Sequence, residues 1–464
     1  MLKEPSKKAT VFCAVCCAAV FVAIEAFGWK YVGPLSIRNY CLLILVGTML
    51  FGRGIKVVPK IKKVPVGVKK PNIQKNHEFR NKRPPKRFDL RLFKRFKYLV
   101  FYYIFVAFLG LFNGLYSDDI NLFLTRFLPS IVVFCFLITY VENKKTISVL
   151  VYLLLAVMCL DAVATVLQGI GNPLGWVLSS IFSNSELYET ASDLESSIGK
   201  SVTCGIMGTV VGNGYFLAVC GSLFWVPYKE NKTWLSFLYS LFCCVLCLAA
   251  LFYNQQRLAF YVYVLVVFMT LFYLTPGKRR YVFVPVGLLV LLIIFNSGLF
   301  NSMDLGRLSS VSDSDITSRH GTHRNYYTEF FPYHFLTGDR HEFVLQYKQT
   351  PHSMIIETLL LGGIIGLLLF MMFVITFVIQ VLDDFLRKHK ESVMYAVPPL
   401  VLLLISLEHS SGFHTGMTLG AFYFALYEKA HFLYRKVHVI RNPTDGKADT
   451  PQAIDEEEKN TLLD

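Results

Sequence analysis

The stretch TPHSMIIETLLLGGIIGLLLF (350–370) places His352 one residue after a proline and directly ahead of a long apolar run. Proline suits the first turn of a helix, so His352 is expected near a helix N-terminus at a membrane face. The positive end of the helix dipole disfavours imidazolium there and keeps the ring neutral, able to accept a proton. The same helix end presents backbone N–H groups to an anion. A general base beside a negatively charged ligand is the chemistry this position offers.

Arginines supply the complementary groups. Arg126, in NLFLTRFLPSI, lies about two turns inside one apolar run, and Arg257, in NQQRLAFYVYV, opens another. Arg319 and Arg324 lie upstream of His352 in SDSDITSRHGTHRNYYTEFFPYHF. A guanidinium is a planar, permanently charged fork that grips phosphate with two bonds, which an ammonium cannot do. Charged groups in or near hydrocarbon usually face a cavity or a partner. Arg126 and Arg257 are therefore read as phosphate ligands, against the alternative that each snorkels to the interface. The acids Glu25 and Asp161 are read as partners for neighbouring helices.

The elements that position these residues are membrane helices. Of 464 residues, 54% are hydrophobic and only 17% charged, and the mean hydropathy is +0.47, which excludes a soluble enzyme. Apolar runs of membrane-spanning length recur along the whole chain. Twelve spans are expected, near 10–27, 36–52, 98–116, 120–141, 146–169, 201–227, 234–253, 257–275, 281–297, 354–381, 393–409 and 412–430. The expectation is an all-α integral membrane protein with about 12 transmembrane helices and one large extracytoplasmic loop between helices 9 and 10. All eleven cysteines fall inside apolar runs and read as small packing residues.

The organisation that follows is a first hairpin (1–52), a basic cytoplasmic segment (53–97), helices 3 to 9 (98–297) with an outer loop at 170–200, the large outer loop (298–353), helices 10 to 12 (354–430) and a cytoplasmic tail (431–464). Seven segments on one side hold 36 of the 46 Lys and Arg residues, so that side is read as cytoplasmic with both termini inside. The net charge of +14 is thus a topology signal, and no nucleic-acid-binding motif accompanies it. Phe88, Leu92 and Phe96 recur at i, i+4, i+8 near the end of the basic segment, a spacing that suits a helix lying on the anionic inner leaflet. Among the ten remaining basic residues seven are Arg, whereas only eleven of the 36 cytoplasmic ones are. That bias points to an extracytoplasmic phosphate ligand.

With these residues in place the chain resembles the O-antigen ligase/O-antigen polymerase superfamily of bacterial membrane glycosyltransferases. Its motif, His-[Asn/Ser/Gln]-x9-Gly-x-x-[Gly/Thr/Tyr], is matched by His352-Ser353, Gly363 and Gly366. An Arg opening a span after a polar turn is matched by QQRLAF at Arg257. An Arg early in the large loop, then aromatics and a Gly turn, is matched by Arg319 or Arg324, YYTEFFPYHF and Gly338. The similarity covers roughly residues 240–415.

The resemblance implies transfer of a glycan from undecaprenyl pyrophosphate to an acceptor sugar hydroxyl at the outer face of the inner membrane, with inversion and without metal or other cofactor. His352 is the implied base, with Arg257, Arg319, Arg324 and Arg126 for the pyrophosphate. The implied partners are the undecaprenyl-pyrophosphate-linked glycan donor, a lipid A-core or lipid-linked glycan acceptor, and membrane lipids. Two other readings compete. An anion or lipid-linked sugar transporter or flippase is disfavoured because no repeat is visible. A metal hydrolase would draw on His320, His323, His334, His341 and His352 with Asp339 or Glu342.

Overall fold

A segment in hydrocarbon must close its own backbone hydrogen bonds, and most of the described apolar runs do so by becoming helix. The computed structural model describes residues 7–25, 31–32, 35–51, 93–112, 123–141, 143–182, 203–274, 321–348, 353–387, 390–407 and 412–441. The expected span 281–297, most of the basic segment 53–97 and the tail beyond 441 lie outside the described residues.

The described helices are α1 Lys7–Glu25, α2 Ile37–Phe51, α3 Phe93–Phe112, α4 Leu128–Tyr140, α5 Lys144–Gly169, α6 Pro173–Phe182 and α7 Val210–Gly221. They continue as α8 Val226–Asn231, α9 Trp234–Asn254, α10 Arg257–Leu274, α11 Arg340–Tyr347, α12 Met354–Leu386, α13 Lys390–Ser406 and α14 Thr418–Arg441. Two-residue strands, β1 Tyr31–Val32 and β2 Leu35–Ser36, pair antiparallel between α1 and α2. Among the described residues five helices are long and apolar enough to cross a membrane: Phe123–Tyr140, Lys144–Gly169, Val210–Asn231, Trp234–Asn254 and Met354–Leu386.

Packing relies on aromatic and small residues, as expected where lipid offers no hydrophobic gain for helix association. Phe96 stacks on Phe134 at 3.7 Å, and Phe373 and Phe377 meet Phe424 edge-on at 5.0 and 5.4 Å. Gly366 admits the Tyr102 ring to 3.4 Å from the position its Cβ would take. Phe96 is fully buried, which corrects the reading of that position as part of a helix on the lipid surface. Residues 93–97 begin α3, and Arg95 pairs with buried Glu428 at 3.1 Å.

Three further boundaries differ from expectation. The span expected at 201–227 starts with a buried non-helical stretch, and helix begins only at Val210. Its backbone is satisfied by side chains: Gln168 Oε1 accepts from the N–H groups of Cys204 and Gly205 at 3.0 Å, and Asp161 Oδ1 from that of Ile206 at 2.8 Å. Asp161 thereby serves its neighbours structurally. The outer loop expected at 170–200 contains α6, an apolar helix. Finally, α12 is broken at Gly363, where φ is 56° and ψ −156°.

Contacts sort the connections into two ends. The start of α5, all of α8, the end of α12 and the late part of α14 meet at one: Lys144 lies over the Tyr434 ring, Tyr395 and Tyr434 both bond Glu230, and Asp384 bonds His431. The start of α12, the 412–417 strap and the turn before α4 meet at the other. Between them α12 runs about 40 Å.

Candidate functional site

The second end holds the charged residues that hydrocarbon would otherwise exclude. A π-helical turn, Phe123–Phe127, precedes α4, and Pro129 follows at the helix start. Such turns carry one extra residue and often mark functional positions. This one is fixed from below. Ser130 Oγ donates to the carbonyls of Arg126 at 3.0 Å and Gly416 at 2.6 Å, while Phe127 stacks on Tyr103 at 4.3 Å. The Tyr102 and Tyr103 hydroxyls donate to the carbonyls of His414 and Phe413 at 3.1 and 2.6 Å. Arg38, at the start of α2, donates to the Thr125 carbonyl next door. The π turn therefore presents Arg126 from a rigid base.

Arg340 arrives from the segment 321–348, which precedes α12 in the chain. The turn 335–338 docks into the break in α12: the freed N–H of Ile364 donates to the Phe335 carbonyl at 2.9 Å. Gly338, with φ +64°, lies so close to α12 that a Cβ would collide with the Leu359 carbonyl. Gly363 is equally constrained, since a Cβ there would strike the Leu336 backbone. Only glycine tolerates both the positive φ and the contact. Asp339 then caps α11 by accepting from the Glu342 N–H at 2.9 Å, and Arg340 opens the helix.

From that position Arg340 Nε donates to Glu357 Oε1 at 2.5 Å. Glu357 is buried one turn into α12. Its second oxygen, Oε2, is buried without a hydrogen-bond partner among the described residues. Arg126 acts electrostatically on both Glu357 and Arg340. Among the described residues here, two guanidinium groups accompany one carboxylate, an excess of one positive charge held by packed backbone.

The loop above is an aromatic cluster. Tyr326, Phe330 and Phe343 are buried around Ile356, Leu359 and Leu360. Burial pushes the Tyr326 hydroxyl up from its ordinary value, with the neighbouring Tyr327 adding to it, so it stays neutral. His334 stacks on Phe330 at 4.1 Å. His334, Asp339 and Glu342 offer ligand atoms within 4.8 Å of one another, the three groups in the described chain placed to hold a metal ion.

The sequence-predicted residues divide. Arg126 joins the cluster. Arg257 is the first residue of α10 and follows Gln255 in the left-handed region (φ 60°), so it does open a helix after a polar turn; α10 packs on α7, α13 and α9. Arg324 is exposed on the turn of helix before Tyr326. Arg319 and His352 lie outside the described residues. Sequence reasoning missed Glu357 and Arg340 as site residues. Their signals were present: an acid one turn inside the apolar run MIIETLLLGG, and an arginine directly after Gly338-Asp339. The chain matches no known protein family, no characterised protein and no solved structure.

Proposed function

We propose that the chain is a twelve-span bacterial inner-membrane glycosyltransferase of the O-antigen ligase or polymerase type, with both termini cytoplasmic. It moves a glycan from undecaprenyl pyrophosphate to an acceptor sugar hydroxyl at the outer face. The observation that carries this reading is the ion pair of Arg340 with buried Glu357, with Arg126 in electrostatic reach of both and a turn locked to Gly363 beside them. In the sequence His352 lies two residues before the start of α12, and Glu357 lies in the first turn of that helix.

In this mechanism the acceptor hydroxyl attacks the anomeric carbon as the bond to the pyrophosphate oxygen breaks, inverting the configuration. His352 takes the hydroxyl proton. Negative charge grows on the departing pyrophosphate, and fixed guanidinium donors stabilise it most where it is greatest. Arg126 and Arg340 supply that charge, with Arg257 and one of Arg319 and Arg324 extending the site toward the sugar-phosphate. Glu357 positions Arg340 and balances the pair. The acceptor is a lipid A-core sugar in a ligase or a second lipid-linked repeat unit in a polymerase. Purified protein given donor and acceptor tests this by the appearance of a new glycosidic linkage, which Arg126→Ala and Arg340→Ala should each suppress.

A second reading, transport or flipping of a lipid-linked sugar, is favoured by one observation. Broken helices and buried irregular backbone are common in transporters, and both the Gly363 break and the 203–209 stretch are of that kind. Movement of the intact donor across a vesicle membrane without any change in its glycan would select it.

A further inference from the structure

At the opposite end of the bundle, far from the arginine cluster, the first residues of α5, the short α8, the start of α13 and the late part of α14 enclose a cleft of about 380 Å³. Four lysines line it: Lys144, Lys145, Lys229 and Lys232. Two acids, Glu230 and Glu391, face them. Glu230 Oε1 accepts from the hydroxyls of two other cleft residues, Tyr395 at 2.7 Å and Tyr434 at 2.8 Å. Lys144 is held over the Tyr434 ring at 4.0 Å. Among the described residues no carboxylate pairs with Lys229 or Lys232. Among the described residues that line the cleft, four ammonium groups face two carboxylates.

The surface beside Lys232 says which kind of anion fits. Helix α9 begins two residues later, and Trp234 (69% exposed) and Leu235 (77% exposed) open it. Leu238, Phe242 and Val245 continue an exposed apolar stripe down the same helix, at the spacing that keeps residues on one face. Trp225, Tyr228, Trp234 and Phe237 pack together at this level, as aromatic residues do at the membrane–water interface. A soluble anion would use the lysines alone. A phospholipid would use both, its phosphate on the lysines and an acyl chain along the stripe.

We infer that this cleft is a binding site for the phosphodiester headgroup of an anionic membrane lipid. The site is independent of the transfer reaction and of the twelve-span count.

Native mass spectrometry of the full chain in detergent tests it, with phosphatidylglycerol and phosphatidylcholine as probes. Each lysine near an anionic headgroup contributes about fivefold in affinity, so the double variant Lys229→Gln/Lys232→Gln should bind phosphatidylglycerol roughly thirtyfold more weakly. The matching double Lys→Arg variant should stay close to wild type. Phosphatidylcholine should bind no better to wild type than to the Gln variant, and excess inorganic phosphate should leave phosphatidylglycerol bound. Equal binding by the wild type and the Gln variant would overturn the site, as would loss in the Arg variant as well. Displacement by inorganic phosphate would overturn the lipid assignment and make the cleft a site for a soluble anion.

Discussion

Among single residues, Glu357 is the one that holds Arg340 in place. Glu357 is buried but Arg340 is one-third exposed, so removing the acid strands a charge that water partly reaches, at a cost of about 1–3 kcal/mol. Glu357→Gln should therefore lower thermal stability by that order and suppress transfer. The exposed Glu342→Gln should change stability by no more than about 0.5 kcal/mol. Thermal unfolding of the two purified variants makes the comparison. His352→Ala should lower transfer by roughly 10²- to 10⁴-fold, the range typical of a lost general base, with membrane insertion unchanged. Arg257→Lys should be nearly as damaging as Arg257→Ala, because charge survives but the fork does not. Full activity in the Lys variant would reduce Arg257 to a long-range charge.

Among the elements, Gly338 and Gly363 form a latch between the turn 335–338 and α12. Alanine at either position must adopt a positive φ, at a cost of roughly 1–2 kcal/mol, and also meets a carbonyl. Gly338→Ala and Gly363→Ala should thus release the turn and, with it, Arg340 from Glu357. Limited proteolysis of the loop, faster in both variants than in wild type, would register this. Gly321→Ala is the control, since nothing lies within 4 Å of the added carbon. The glycines were legible in the sequence as motif positions but not as a latch, because a break inside an apolar run leaves hydropathy unchanged. Helices as such were legible from length and apolarity. Exceptions came where side chains satisfied backbone: Gln168 and Asp161 allow 203–209 to be buried without being helix. Phe96 misled because a buried helix start and an interfacial helix share the same i, i+4 pattern. Glu357 was passed over because its partner is 17 residues upstream, across a turn whose path sequence spacing does not reveal.

At the scale of the whole molecule, the two ends should face opposite sides of the membrane. Single cysteines at Lys232 and Tyr333, in a background with the native cysteines replaced, should react with an impermeant maleimide from opposite sides. Labelling of both from one side would break the proposed topology. The central claim is metal-free transfer driven by arginines, and its rival is chemistry at the His334, Asp339 and Glu342 trio. One measurement decides between them: glycan transfer by the purified protein from a polyprenyl-pyrophosphate donor to its acceptor, with and without EDTA. An arginine-driven transfer gives a new glycosidic bond and released polyprenyl pyrophosphate at undiminished rate in EDTA. Loss of transfer in EDTA that a divalent cation restores, or no glycosidic bond under either condition, would contradict it.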